Sequence, residues 1–522
     1  MIFAQSVRHP LVDNPLMNLS FRTIGIVGAG AMGRGIAQIA SQAGSRVLLF
    51  DQQSGTAAQA CEAIRSQWSQ SLNKGRLDAT QIATFSSRLE VVQHIADLAA
   101  CDLVVEAVIE RLDVKQRLFA QLETVVTPDT VLATNTSSLS VTAIAAGLQN
   151  PQRLAGFHFF NPVPVMKLVE VIAGLQTSPT VCQRLTAYAI EMGHTPVTAA
   201  DTPGFIVNHA GRGYGTEALR IVSEGVSDFA SIDRILKDQA DFKLGPFELM
   251  DLTALDVSHP VMESIYHQYF EEPRYRPSVI TTQRLAGGLL GKKVGAGFYR
   301  YDKGQAVYPA EPNVPKLGAL PPVWVSPKAA RRADLLRLLK NIGALIETAA
   351  LPSSEALIVV APLGFDVTTV AVVDGLDAGR TVGIDMLFDD TATRRRVLAT
   401  TPATRLDMRD AAHALFAQDG KAVTVIRDSA GFVTQRVVAS IVNIAADICQ
   451  QGICSPQDLE LGVRLGLGYP AGPLSLGDRL GGASVLEILF NMQTVYGDPR
   501  YRPSPWLRRR AALGLSLLHT EV

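Results

Sequence analysis

Residues 22–51 read RTIGIVGAGAMGRGIAQIASQAGSRVLLFD. Ile24 to Val27 is a short apolar run of the kind that makes a buried strand, and Gly28, Gly30 and Gly33 follow it as a G-x-G-x-x-G turn. Helix-forming sequence then runs to about Ala43, Gly44 stops it, and Arg46 to Phe50 is a second apolar strand ending at Asp51. Each part has a physical reason. The first glycine permits the tight turn, the second lets backbone approach a pyrophosphate, and the third lets helix and strand pack closely. The phosphates would rest on the positive end of the helix, over Ala31 and Met32. Asp51 can accept bonds from both ribose hydroxyls and would repel a 2′-phosphate; no Arg follows it, so NAD is favoured over NADP. The whole predicts an α/β, Rossmann-type NAD-binding domain.

Outward from this unit, CDLVVEAVIE (101–110) reads as another buried strand running to Glu110, with Lys115 on the helix after it. VLATNTSSLS (131–140) is a strand ending in a polar cluster, Asn135 to Ser138. In LAGFHFFNPVPVMKLVE (154–170), Pro162 and Pro164 forbid a continuous helix, because each ring removes an amide donor and restricts the residue before it. That stretch therefore reads as strand, turn, strand, which can return His158 and Glu170 to each other's side. A carboxylate against an imidazole raises its basicity and fixes its tautomer, which makes a general base. The plainer alternative is a satisfied core His beside an unrelated Glu. Ligands of open parallel sheets bind at the carboxyl ends of strands, where Glu110, Ser137 and His158 are expected.

The chain has 522 residues, enough for two to four domains. Its net charge of −1, with 47% hydrophobic and 19% charged residues, supports neither a nucleic-acid partner nor a membrane-surface role. No apolar run approaches the ~20 residues that span a bilayer. The opening MIFAQSVRHPLVDNPLMNLS lacks a long apolar core and a small-residue cleavage site, so it reads as a loose extension and not as a secretory signal. The five cysteines show no metal-ligand spacing and fit free thiols in a reducing cytosol, so the expected location is cytoplasmic and no metal is expected. Beyond Asp201, Thr202 and Pro203 the pattern is helical with Gly-Pro breaks to about Tyr301. This is expected to be an all-α domain closing over the nucleotide domain, with substrate in the cleft.

These stretches together resemble the 3-hydroxyacyl-CoA dehydrogenase family. The matching motifs are GAGAMG at 28–33, VVEAVIE at 104–110, TNTSS at 134–138, GFHFFNPVPVMKLVEV at 156–171, DTPGFIVN at 201–208, LGPFELMDL at 244–252 and GKKVGAGFY at 291–299. The resemblance implies that His158 takes the proton of a 3-hydroxyl while hydride leaves the same carbon for nicotinamide. It implies that Glu170 stabilises the imidazolium, and that Ser137 and Asn208 hydrogen-bond the substrate oxygen. It also implies NAD contacts for Glu110, Lys115, Asn161 and Lys293, and a coenzyme A contact for Lys74.

The carboxyl-terminal part repeats the first at an offset of 227: DSAGFVTQ at 428 answers DTPGFIVN, AGPLSLGD at 471 answers LGPFELMD, and IDMLFD at 384 answers FHFFNP at 157. At that offset Ser137 falls on Gly364, His158 on Asp385, Glu170 on Val397 and Asn208 on Gln435, so one active site per chain is expected. The glycine fingerprint has no counterpart, which makes the second copy truncated as well as degenerate. The expected layout is an extension at 1–20, a Rossmann domain at 21–202, a helical domain at 203–305, a Pro-rich linker at 306–327, a degenerate Rossmann-like segment at 328–427 and a second helical domain at 428–522. The two helical domains are expected to pair within the chain as two chains of a single-copy enzyme would; whether whole chains pair into a homodimer stays open.

The leading function is reversible NAD-dependent oxidation of an (S)-3-hydroxyacyl-CoA. The two-copy layout resembles the 3-hydroxyadipyl-CoA dehydrogenases of phenylacetate breakdown. Arg212, one helical turn after Asn208, could then hold a terminal carboxylate. Three alternatives stay open: a short-chain 3-hydroxybutyryl-CoA dehydrogenase of fatty-acid or butanoate metabolism, a different hydroxy-acid dehydrogenase, and a non-catalytic, crystallin-like nucleotide-binding protein.

Overall fold

The computed structural model describes residues 20–521. The extension expected at 1–20 lies outside them except for Ser20, which donates to Glu191. The chain forms two compact units, one ending at Asp201 and the other starting at Thr202. No helix among the described residues is long and apolar enough to cross a membrane.

The first unit is built on eight strands: β1 (Thr23–Val27), β2 (Arg46–Phe50), β3 (Leu89–Val91), β4 (Leu103–Glu106), β5 (Val131–Thr134), β6 (Leu154–Phe159), β7 (Leu168–Ala173) and β8 (Thr195–Ala200). They lie in the order β3-β2-β1-β4-β5-β6-β7-β8. Neighbours run parallel except β6 and β7, which are antiparallel. Central strands such as β4, β5 and β6 are buried along their whole length, as continuous apolar runs require when helices cover both faces. β4 stops at Glu106, short of the expected Glu110. The Glu106 carboxylate accepts the Val108 amide at 2.7 Å, which turns the chain out of the ladder.

The second unit opens with helices that include Val207–Ala210, Arg212–Ser223 and Phe229–Ala240, and it continues through a short hairpin, β9 (Arg300–Asp302) and β10 (Gln305–Val307). A six-stranded sheet follows: β11 (Val323–Val325), β12 (Ile346–Glu347), β13 (Leu357–Val360), β14 (Thr381–Ile384), β15 (Arg395–Thr400) and β16 (Ala422–Arg427), in the order β12-β11-β13-β14-β15-β16. The expected linker at 306–327 is therefore too long. Its VWV segment is strand β11, fully buried beside β13, and the prolines around it only mask a strand too short to announce itself.

Strands β13 to β16 repeat β5 to β8, and from β14 onward the repeat holds at the level of register. Gly156 pairs with Ile172 across β6 and β7, and Gly383 with Ala399 across β14 and β15; both partners are shifted by 227. Helix Thr434–Gln450 then packs on helix Arg212–Ser223 so closely that a Cβ on Gly213 would stand 3.2 Å from the Ile441 backbone. Arg436 crosses this contact to Glu217 at 2.7 Å and Glu224 at 2.6 Å, and Arg500 reaches Glu217 at 3.3 Å.

Candidate active site

Strands β6 and β7 place His158 directly opposite Glu170. The imidazole Nδ1 lies 2.6 Å from Glu170 Oε2, and the carboxylate is 0% exposed. A buried carboxylate at that distance favours the tautomer with the proton on Nδ1 and stabilises the ring once Nε2 is also protonated. Asn135 braces the neighbouring backbone: its Oδ1 accepts the Phe159 amide at 2.9 Å, tying the loop after β5 to the strand that carries the histidine.

The glycine loop has the shape a dinucleotide needs. Gly28 sits at φ +102°, where a Cβ would strike the Ala107 carbonyl oxygen at 2.5 Å. A Cβ on Gly33 would meet the Gly28 oxygen at 1.8 Å, so helix and strand touch there. Nothing lies within 4 Å of the Cβ position of Gly30, which leaves the approach to the helix start clear. The helix begins at Ala31 with no side chain capping it, so its first amides remain available to phosphates. Asp51 accepts the Ala29 amide at 2.8 Å and the Gln53 amide at 2.9 Å, holding its carboxylate against the loop, where ribose would lie. These residues fit NAD.

Glu110 stands in the loop after β4 and gathers the TNTSS segment around it. It accepts from Thr136 Oγ1 at 2.7 Å, from the Ser137 amide at 2.8 Å and from the Ser138 amide at 3.0 Å. Burial pushes this carboxyl up, but Lys115 and the donors from Thr136, Ser137 and Ser138 outweigh burial and hold it below the ordinary value. Lys115 itself is 1% exposed and pairs with Glu106 at 2.6 Å and Glu110 at 3.3 Å. Its ammonium is thus committed to two carboxylates, one of them Glu110. Asn161 and Lys74 are exposed, the first in the turn between β6 and β7, the second capping helix Thr56–Asn73. Lys293, in the second unit, is ion-paired with Asp256. Glu106 and Asn135 carry structural duties that the sequence reading did not assign. For Glu106 the available signal was a charge inside an otherwise apolar strand.

In the second unit, Asn208 and Arg212 lie one turn apart. Arg212 Nε donates to the Asn208 carbonyl at 2.8 Å, which folds the guanidinium back toward Asn208. Burial lowers the Arg212 pKa to about 10.

The family model described as "3-hydroxyacyl-CoA dehydrogenase, NAD binding domain" matches residues 23–202, and the family's C-terminal domain model matches twice, over 204–301 and 431–517. The chain belongs to the 3-hydroxyacyl-CoA dehydrogenase family. The 3-hydroxyadipyl-CoA dehydrogenase of Escherichia coli K12 is 38% identical over 95% of this chain and 99% of its own length. A probable 3-hydroxybutyryl-CoA dehydrogenase of Deinococcus radiodurans is 40% identical over 53% of this chain and 99% of its own length. A crystal structure of 3-hydroxybutyryl-CoA dehydrogenase from Escherichia coli K12 superposes with a TM-score of 0.81 at 36% identity, covering 94% of this chain and 98% of that one. This dehydrogenase is an NAD-dependent oxidoreductase of the 3-hydroxyacyl-CoA class, and the non-catalytic reading finds no support in these relatives.

The second copy carries other residues at the positions that answer the active-site set, and they bond to one another. Gln435 Oε1 accepts the Gly364 amide at 2.8 Å, and its Nε2 donates to Asp385 Oδ1 at 2.9 Å. Three of the four positions that correspond to the active-site set are therefore bonded to one another. The fourth, Val397, is bonded to Asp385 only through the backbone, at 3.0 Å. Gly364 is at φ +73°, and a Cβ there would meet the Ile488 carbonyl oxygen at 2.5 Å, so no serine fits where Ser137 has its counterpart.

Proposed function

We propose that this enzyme oxidises (S)-3-hydroxyadipyl-CoA to the 3-keto thioester, with phenylacetate breakdown as its setting and the cytoplasm as its location. The observation that carries the substrate is Arg212. The buried arginines meet carboxylates, as Arg436 meets Glu217 and Arg274 meets Asp447 at 2.7 Å. Arg212 is half-buried and has no carboxylate partner among the described residues. A dicarboxylyl substrate brings the missing anion. In an adipyl chain the far carboxyl carbon is about 4 Å from C3, as three extended C–C bonds span. Asn208 and Arg212 are separated by one turn, a rise of about 6 Å. If Asn208 meets the oxygen on C3, Arg212 is placed for the far carboxylate.

The chemistry follows from the base. His158 takes the hydroxyl proton on Nε2, and Glu170 stabilises the imidazolium that forms. Ser137 donates to the substrate oxygen as it becomes a carbonyl, and Asn208 carries over from the family in the same role. NAD, when bound, supplies the hydride acceptor. Its holding residues are Gly28, Gly30, Ala31, Met32 and Gly33 through backbone, Asp51 at ribose, and Glu110, Lys115, Asn161 and Lys293 as the family implies. Lys74 serves the coenzyme A end. The carboxyl-terminal helical region stands in for the second chain of a single-copy dimer. Deleting 311–522 then exposes an apolar face and gives a dimer or an aggregate; a soluble active monomer counts against this.

The substrate is tested by kcat/KM for 3-hydroxyadipyl-CoA and 3-hydroxyhexanoyl-CoA, in the parent and in Arg212→Leu. A preference for the dicarboxylyl ester that disappears in the variant supports the reading. An unchanged ratio removes it.

A further inference from the structure

The second copy carries other residues at the positions that answer the active-site set, yet its 467–469 loop packs an idle polar atom against the start of the Arg212 helix. Tyr469 follows helix Pro456–Gly466, is 6% exposed, and its hydroxyl has no hydrogen-bond partner among the described residues. The ring is held in place by Tyr214 and Phe242, at 5.6 Å and 5.1 Å between centroids. Tyr214 commits its own hydroxyl to the Leu244 carbonyl at 2.7 Å, so Tyr469 is the aromatic of this group with an idle donor. Leu467, on the same loop, closes over the start of the Arg212 helix: a Cβ on Gly211 would stand 3.3 Å from its side chain. Burial is the main influence on the Arg212 guanidinium, and Tyr469 is the group that opposes it.

A buried hydroxyl without a partner destabilises a fold, and so does a desolvated cation without an anion. Here the two deficits lie on segments that pack together. No carboxylate pairs with Arg212 among the described residues: Asp447 is taken by Arg274, and His209, on the same helical segment and pushed down to about 3 mainly by burial, is neutral. One carboxylate remedies both, with an oxygen for the guanidinium and an oxygen for the phenol, as charge-assisted bonds.

We infer that Tyr469, from the second copy, and Arg212, from the first, together bind the terminal carboxylate of a dicarboxylyl-CoA substrate. This rests on the substrate reading given above. It also gives the degenerate copy a part in specificity. At the offset of 227, Tyr469 corresponds to Phe242 and Arg212 to Ala439. In a dimer of identical chains the paired positions would carry the same residue. Only within one chain could one copy keep phenylalanine and supply the cation while the other supplied the hydroxyl.

The test is Tyr469→Phe, which keeps the ring and its packing, measured beside the parent and Arg212→Leu. The ratio of kcat/KM for 3-hydroxyadipyl-CoA over 3-hydroxyhexanoyl-CoA should fall roughly tenfold or more in Tyr469→Phe, the scale of a hydrogen bond to a charged group. Thermal unfolding without substrate should come no lower than in the parent, because the hydroxyl removed bonds nothing in the fold. If the parent shows no dicarboxylyl preference, the substrate reading fails and takes this inference with it. If the preference is lost in Arg212→Leu but intact in Tyr469→Phe, the substrate reading stands and Tyr469 is not part of it. A melting point several degrees lower in Tyr469→Phe makes the hydroxyl structural and overturns the inference.

Discussion

The β6–β7 pair of the first unit and the β14–β15 pair of the second share one ladder and differ in what stands on it. Both pairs are antiparallel, and their rungs match at a shift of 227. On the first, an imidazole faces a buried carboxylate 2.6 Å away. On the second, a carboxylate, Asp385, faces valine. Burial pushes the Asp385 carboxyl up to about 6, against the donors from Gln435 and Leu387, and its Oδ2 has no partner among the described residues. The two pairs share this register because each strand's burial depends on it. The side chains on it are not so constrained, and Gln435, one methylene longer than asparagine, reaches across and joins Gly364 to Asp385.

That contrast breaks first at the histidine. His158→Ala should lower kcat by about 10²–10⁴-fold, the value of general-base assistance, with NADH affinity nearly unchanged. Asp385→Ala should leave kcat within a few-fold of the parent. Fluorescence titration should find one NADH per chain in the parent; two equivalents would make the second copy a working nucleotide site.

Glu217→Gln attacks the contact that joins the copies. It leaves Arg500 without a carboxylate and Arg436 with Glu224 alone, and should cost about 3–5 kcal/mol in urea unfolding, as for a broken buried ion pair. A loss below about 1 kcal/mol would show that Glu224 suffices.

A smaller effect isolates Asp385. Its folded pKa of about 6 lies above the ordinary 3.8, so the folded state keeps a proton that the unfolded chain releases. Stability from this group is full below pH ~4 and is lost as pH rises to ~6, by about 2–3 kcal/mol. The difference in unfolding free energy between parent and Asp385→Asn should move by that amount across the window. A pH-independent difference would place the folded pKa near its ordinary value.

Asn135→Ala should have the smallest effect. It leaves the Phe159 amide without its acceptor and should cost about 1 kcal/mol, with a few-fold fall in kcat as the histidine strand loosens. An unchanged kcat would mean that β6 needs no brace.

The family and the fold class were legible because their signals are local. The glycine loop states its own φ requirements, the Pro162–Pro164 turn returns Glu170 to His158, and a duplicated chain repeats its motifs at one spacing. Strand β11 was missed because VWV is three residues among prolines, and burial beside β13, not propensity, makes it a strand. Lys115 is visible as a helix residue in the sequence, but its pairing with both Glu106 and Glu110 is not. Nor could sequence order bring Gly364, Asp385 and Gln435 together, or leave the hydroxyl of Tyr469 idle on a loop packed against the start of the Arg212 helix. The sequence alone determined which backbone conformations and which repeats the chain contains, because these depend on neighbours a few residues apart. Tertiary structure alone decided which polar groups satisfy one another and which are left over, because that depends on packing between segments distant in the chain.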